Sequence, residues 1–139
     1  MVVTVADLHA EYHRRRALGI GEPSPRLSWI TTTDISGWLQ AAYELELDGV
    51  PTGRVECGAS VFVAWPGAPV ASRSVHRVRV RVWGTDGSES EWSEALVIEA
   101  GLMAPEDWSA QWITPAEPGS EGRPCWLRHA FRLITEPGD

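Results

Sequence analysis

The sequence contains no lysine and no asparagine, and all 12 of its basic residues are arginine. These are the two amino acids with the most adenine-rich codons, so their absence points to a high-GC bacterial genome. Without asparagine there is no Asn-x-Ser/Thr acceptor, which excludes N-glycosylation. Positive charge is also short: the formal net charge is −7, which argues against electrostatic attraction to nucleic acid or anionic lipid. The Arg14, Arg15, Arg16 run then reads as a solvated loop. Cysteine is nearly absent. Cys57 and Cys125 permit at most one bridge and share no metal-ligand spacing, so two unpaired thiols are expected. No apolar run is long enough to span a bilayer. Residues 1–10 lack the basic and apolar regions of a signal peptide, a reading that leans cytoplasmic and otherwise leaves the location open. Only His9 and His13 of the four histidines share an i, i+4 spacing, without the glutamate and third ligand of a zinc motif.

What is present is period-two alternation, which places successive side chains on opposite faces of a half-buried strand. In residues 75–83, Val78, Val80 and Val82 fall on one face with His76, while Arg77, Arg79, Arg81 and Trp83 fall on the other. In 41–48, Ala41, Tyr43, Leu45 and Leu47 alternate with Ala42, Glu44, Glu46 and Asp48, and Asp48-Gly49 then supplies a hairpin turn. Shorter candidates are 3–8, 26–32, 52–57, 60–64 and 95–100. No stretch sustains a helical period. About seven short strands within the first hundred or so residues, broken by regular turn signals, predict an all-β, two-sheet immunoglobulin or fibronectin type III-like sandwich, with a barrel as the alternative.

The pattern assigns the sandwich to residues 1–101. Residues 102–125 form a Pro/Gly/Trp-containing linker without periodicity, and 126–139 supply one further strand, over 126–133. A lone strand cannot make a domain, so it is expected to open a following, absent domain, with weak order after about Pro115.

The segment Leu18-Gly19-Ile20-Gly21-Glu22-Pro23-Ser24-Pro25-Arg26-Leu27-Ser28-Trp29 resembles the opening signature of bacterial α-L-rhamnosidases. Further segments agree in order: Gln40-Ala41-Ala42-Tyr43, Ser72-Arg73 leading into Arg79-Val80-Arg81-Val82-Trp83, Glu91-Trp92-Ser93-Glu94, Gly101-Leu102, and Pro105-Glu106-Asp107-Trp108-Ser109-Ala110-Gln111-Trp112-Ile113. The resemblance implies an N-terminal fibronectin-like domain, followed in such enzymes by further sandwiches and an (α/α)6 barrel that hydrolyses terminal α-L-rhamnosides with inversion. Two departures stand out. Asp48-Gly49-Val50-Pro51 replaces a longer connection, and His76 occupies the position of the tyrosine-corner Tyr, so the corner is weakened or rebuilt.

No catalytic constellation emerges from the residues themselves. Inverting glycoside hydrolysis needs one protonated and one ionised carboxyl about 6.5 to 9.5 Å apart. Glu44 and Glu46, on an outer strand face, and Glu89, Glu91 and Glu94, in a turn, instead read as solvated charge. Neither Ser36-Gly37 nor Ser93-Glu94 forms a nucleophile elbow. The eight tryptophans are the compositional anomaly. Trp29 shares parity with Leu27 and is expected in the core. Trp83 and Trp92 are expected to stack with Arg77, Arg79 and Arg81, an arrangement that resembles the arginine-tryptophan ladder beside the WSxWS box of cytokine receptors. Trp108 and Trp112, in the linker, are candidates for docking onto neighbouring domains. Trp38 and Trp65, beside turns, are the candidates for carbohydrate contact.

These readings converge on a module that catalyses nothing itself, binds no cofactor or metal, and orients the remaining domains of a parent enzyme. The rival is a carbohydrate-binding module for rhamnose-containing glycans that uses Trp38 or Trp65.

Overall fold

In the computed structural model, residues 2–14, 16–113 and 128–132 are described. A first compact unit runs from Met1 to Trp108 and a second comprises Ser109–Asp139. The first unit is the sandwich. Its strands are β1 (Val3–Ala10), β2 (Ala17–Ile20), β3 (Leu27–Thr33), β4 (Gln40–Leu47), β5 (Val50–Val55), β6 (Val75–Gly84) and β7 (Leu96–Ala100). β1 and β3 form a two-stranded sheet, and the other sheet has five strands in the order β2-β7-β6-β4-β5. The all-β sandwich expected from the alternation is therefore present.

Alternation decides what lies between the sheets. Val78, Val80 and Val82 are fully buried and meet Trp29, Leu45, Leu96 and Ile98 in one cluster. Each such aliphatic side chain contributes roughly 1.5 to 3 kcal/mol relative to exposure. Trp29 packs edge-on against Tyr43, with centroids 5.3 Å apart, and donates its indole N–H to Gln40 Oε1 at 3.1 Å. The β4–β5 hairpin closes through Asp48 (φ 51°) and Gly49 (φ 81°), the paired positive φ values that a type I′ turn demands and that Asp-Gly supplies at low cost.

Two strand assignments change. Residues 60–64 do not form a strand: only Val63 bridges, to Leu27, and Phe62 has φ 52°, which breaks the extended run. In their place β2 pairs parallel to β7, its register slipping between Leu18 and Ile20 around Gly19, which lies at φ 71°. Among residues 128–132 no strand forms, and the rest of the strand expected over 126–133 lies outside the described residues, as does Cys125. Cys57 carries a free thiol.

β7 pairs with β6 only from Val75 to Val78. Beyond that point the non-strand segment 88–94 takes over its edge. Ser90 N–H donates to Val82 O (2.9 Å) and Ser93 N–H to Val80 O (2.8 Å). Their hydroxyls accept from the amides of Val82 (3.0 Å) and Val80 (3.1 Å), then donate to the Glu91 and Glu94 carbonyls. Two buried serines thus complete a ladder that a strand would otherwise have to complete.

The unit continues past Gly101. Met103 N–H donates to Ser72 Oγ at 2.8 Å, the Ser72 hydroxyl bonds Asp107 Oδ2, and Arg73 Nη2 reaches Asp107 O at 3.1 Å. These bonds hold a short 3-10 turn, Pro105–Asp107, against the sandwich.

Candidate functional site

The largest ordered array of chemically active side chains covers the outer face of the five-stranded sheet. The β4/β6 register sets Glu44 opposite Arg81 and Glu46 opposite Arg79. The resulting ion pairs are close: Arg81 Nη2 lies 2.6 Å from Glu44 Oε2 and Arg79 Nη2 lies 2.6 Å from Glu46 Oε2. The guanidinium planes then stack with indoles. Arg79 stands 5.3 Å and Arg81 4.8 Å from the Trp92 ring, and Arg81 stands 4.9 Å from Trp83. Arg54, from β5, covers Trp83 at 4.7 Å. The order of the stack is Arg54, Trp83, Arg81, Trp92, Arg79. Arg77 is exposed and stands over no indole among the described residues.

Arg54 went unnoticed in sequence because membership depends on cross-strand register, which sets it opposite Glu44 on the far side of β4. The stack also overturns the solvated reading of Glu44. That residue is only 7% exposed, and Ala42, opposite Trp83, is fully buried although it lies outside the main cluster. Long flat side chains have built a second, smaller core on the face that would otherwise meet water. Trp83 completes its bonding by donating Nε1–H to Glu89 Oε2 at 2.8 Å.

This face is a satisfied structure. Among the described residues no buried side-chain nitrogen or oxygen lacks a partner, and no cluster of three or more His, Cys, Asp or Glu could hold a metal. Glu44, Glu46 and Glu89 are each tied to a specific donor, Arg81, Arg79 and the Trp83 indole. A group spent in this way is poorly placed for proton transfer.

His76 sits in a network at the β4–β5 turn. Its Nδ1 lies 2.7 Å from Asp48 Oδ2, its Nε2 lies 3.0 Å from Ser74 Oγ, and its ring meets Trp65 edge-on at 5.8 Å. Asp48 Oδ1 also accepts the Arg77 amide at 2.8 Å. Partial burial pushes the Asp48 carboxyl up, but the Arg77 amide and the His76 ring outweigh it and hold the group below its ordinary value.

The two tryptophans considered for sugar contact have other partners. Trp65 is buried in the main cluster and donates Nε1–H to Ala68 O at 2.9 Å. Its place beside Pro66-Gly67 turns it inward, so the premise of an exposed ring fails. Trp38 is half-buried, packs against the core and donates to Ser88 Oγ at 2.8 Å. It lies so close to Gly84 that a Cβ there would sit 2.2 Å from the indole nitrogen. Trp108 and Trp112 are exposed, at 64% and 101%.

Sequence reasoning overlooked a cleft of about 360 Å³ on the outer face of the two-stranded sheet, lined by residues that include His9, Tyr12, Arg14, Ile30, Val61 and Phe62. Its ends are pinned by ion pairs, Arg26–Glu11 and Arg14–Asp7, each at 2.7 Å. The bidentate Arg26 guanidinium holds the Glu11 carboxyl below its ordinary value against the opposing effect of burial.

The model of the Rha78A-like N-terminal immunoglobulin domain matches residues 5–104. An alpha-L-rhamnosidase of Streptomyces avermitilis is 36% identical over 117 residues, which is 77% of this chain and 11% of that protein. One from an Alteromonas species is 31% identical over 139 residues, covering 86% of this chain and 15% of that protein. Among solved structures, native alpha-L-rhamnosidase from Aspergillus terreus superposes with a TM-score of 0.72 at 40% identity, over 78% of this chain and 13% of that one. The S. avermitilis enzyme complexed with L-rhamnose gives 0.76 at 35% identity, over 81% and 12%. The chain thus spans between 11% and 15% of the length of these relatives.

Proposed function

Because this chain belongs to the family of Rha78A-like N-terminal immunoglobulin domains, as the match over residues 5–104 establishes, we propose that it is a non-catalytic structural domain of an α-L-rhamnosidase. In this reading it orients the neighbouring domains of the parent, and the carboxylates that hydrolyse terminal α-L-rhamnosides belong to an (α/α)6 barrel elsewhere in that protein. The observation that carries it is the share of the relatives that the chain spans, 11% to 15%. The bonding of Glu44 and Glu46 supports it: these acids are tied to Arg81 and Arg79 and join β4 to β6 within the five-stranded sheet. The exposed rings of Trp108 and Trp112 are the ones assigned to docking on the neighbouring domains.

The test is direct. The chain should release no aglycone from an aryl α-L-rhamnoside above a buffer blank. Turnover that disappears on replacing any one of its carboxylates would refute the proposal.

A further inference from the structure

The cleft on the outer face of the two-stranded sheet has features that the stacked face lacks. Pairing of β1 with β3 puts Ala6 opposite Ile30 and His9 opposite Ser28 on this outer face. The segment before Val63 lies alongside β3, with Trp29 N–H donating to Ser60 O at 2.9 Å and Phe62 N–H to Ser28 Oγ at 2.9 Å. Apolar side chains therefore collect on a surface with no sheet above it. Tyr12 is 81% exposed, Val61 64%, Ile30 49% and Phe62 40%.

The backbone around the cleft is held in an uncommon conformation. Among the described residues five non-glycine residues have positive φ, and two of them line the cleft, Glu11 at 51° and Phe62 at 52°, while a third, Asp7 at 51°, holds Arg14 at its end. An aromatic residue there is an outlier that the surroundings must enforce, and such strain gathers at binding and catalytic sites. Here the enforcing contacts are visible. Glu11 N–H donates to Arg26 O at 2.8 Å while both Glu11 carboxylate oxygens receive the Arg26 guanidinium, and that guanidinium covers one side of Phe62 at 4.2 Å. The Ala10–His13 bridge tightens the turn that carries Tyr12 at its tip, and Tyr12 meets Phe62 edge-on at 5.9 Å.

The polar groups in reach are of mixed type and nearly neutral in sum. His9 Nδ1 contacts the Asp7 carbonyl at 2.7 Å. A carbonyl can only accept, so Nδ1 carries the proton and Nε2 is left as an acceptor in the neutral ring. Arg14 is engaged with Asp7 through Nη1 and keeps further N–H donors. Both cations are matched by carboxylates, so the cleft offers no excess charge to an ion. Its volume lies near the lower end of small-ligand sites and suits one or two rings.

We propose that this cleft is a binding site for a neutral sugar ring, with Tyr12 as the stacking platform, Ile30 and Val61 as an apolar wall, and His9 and Arg14 as hydrogen-bond partners of ring hydroxyls. A pyranose combines an apolar C–H face with equatorial and axial hydroxyls, which matches an exposed aromatic ring flanked by one acceptor and several donors. The charge-compensated rim disfavours a phosphorylated or carboxylated ligand. The proposal stands apart from the scaffold reading, since a structural domain and a catalytic one could each carry such a cleft.

The experiment is a titration of the 139-residue chain with L-rhamnose, with sorbitol as an open-chain polyol control, followed by amide and side-chain chemical shifts. The expected result is saturable binding in the millimolar range, with shifts confined to residues around His9, Tyr12, Arg14 and Phe62. Tyr12→Ala should weaken it at least ~10-fold, whereas Tyr12→Phe, which keeps the ring face, should weaken it no more than ~3-fold. The exposure of Tyr12 makes both variants fold, which an unchanged spectrum elsewhere would verify. Shifts centred on Trp38 or elsewhere, a sorbitol response equal to that of the sugar, equal affinity for Tyr12→Ala, or no saturable shift would each overturn the proposal.

Discussion

On the outer face of the five-stranded sheet Arg81 stands between two indoles, 4.9 Å from Trp83 and 4.8 Å from Trp92, with a buried glutamate beneath it. On the outer face of the two-stranded sheet Arg26 covers Phe62 at 4.2 Å while Tyr12 stays 81% exposed. Both faces combine arginine, aromatic rings and carboxylates. The difference is what occupies the ring faces. In the first, each indole meets guanidinium groups and each guanidinium meets a carboxylate, so the array is complete and serves the fold. In the second, the same residue types hold the backbone in a conformation that leaves an aromatic ring uncovered. A count of aromatics therefore says little about binding, and the occupancy of their faces says more.

The sharpest way to break this contrast is to remove the arginine from each face. Arg81→Ala deletes the central member of the stack and strands Glu44, 7% exposed, without its partner. A lost partner at a buried pair costs about 3 to 5 kcal/mol, and the partial exposure of Arg81 brings the expected cost down to about 2 to 4 kcal/mol. Joint replacement, Arg81→Met with Glu44→Leu, should recover most of it, since no charge is then left buried. Arg26→Ala, on an open surface, should shift the urea midpoint far less. Equal midpoints for Arg81→Ala and Arg26→Ala would show that the stacked face is no more structural than the other.

The aromatic counterpart is smaller. Trp92→Ala removes an indole held between Arg79 and Arg81 and should destabilise the sandwich by about 1 to 3 kcal/mol. Tyr12→Ala should fall within roughly 0.5 kcal/mol of the parent chain. Thermal melts of the two variants side by side provide the measurement, and a Tyr12 effect as large as that of Trp92 would remove the distinction between a committed ring and a free one.

How far the residues announced this arrangement depends on range. Val78, Val80 and Val82 on one face with Arg79, Arg81 and Trp83 on the other follow from a local period of two, and that is how β6 lies. The Asp48-Gly49 turn and the burial of Trp29 were equally local. What escaped is decided by neighbours far along the chain. Arg54 reaches Trp83 only because β5 lies at the sheet edge beside β4. Glu44 is buried by side chains from β6 and from the segment around Trp92, which no strand pattern in β4 can reveal. β2 is four residues interrupted by a glycine at positive φ, and its pairing to β7 crosses most of the domain. The run 60–64 has strand-like composition, but Phe62 at φ 52° breaks it, and that same break supplies the cleft. Trp65 illustrates the reverse error, because a turn beside an aromatic fixes neither direction for its ring.

The finest test uses acid, because a carboxylate at the β4–β5 turn, Asp48, and one at the cleft, Glu11, are both held below their ordinary values. For Asp48, burial opposes ionisation, and the Arg77 amide and His76 ring prevail. For Glu11, the Arg26 guanidinium leads. A carboxyl whose folded value lies below its unfolded one stabilises the fold above the unfolded value and loses that contribution as pH falls through the folded value. The window therefore opens near pH 4 and extends downward, with no change of this origin near neutrality. Asp48→Asn is the cleanest probe, since asparagine tolerates the φ of 51° at this position and removes the charge. The Asp48 side chain is 47% exposed, so solvent screening keeps the expected loss at neutral pH below about 1 kcal/mol. The gap between Asp48→Asn and the parent chain should narrow steadily below about pH 4. Glu11→Gln should narrow with the same sign, read from midpoints in urea at a series of pH values. A gap that stays constant into strong acid would mean that neither Asp48 nor Glu11 stabilises the fold as an ion.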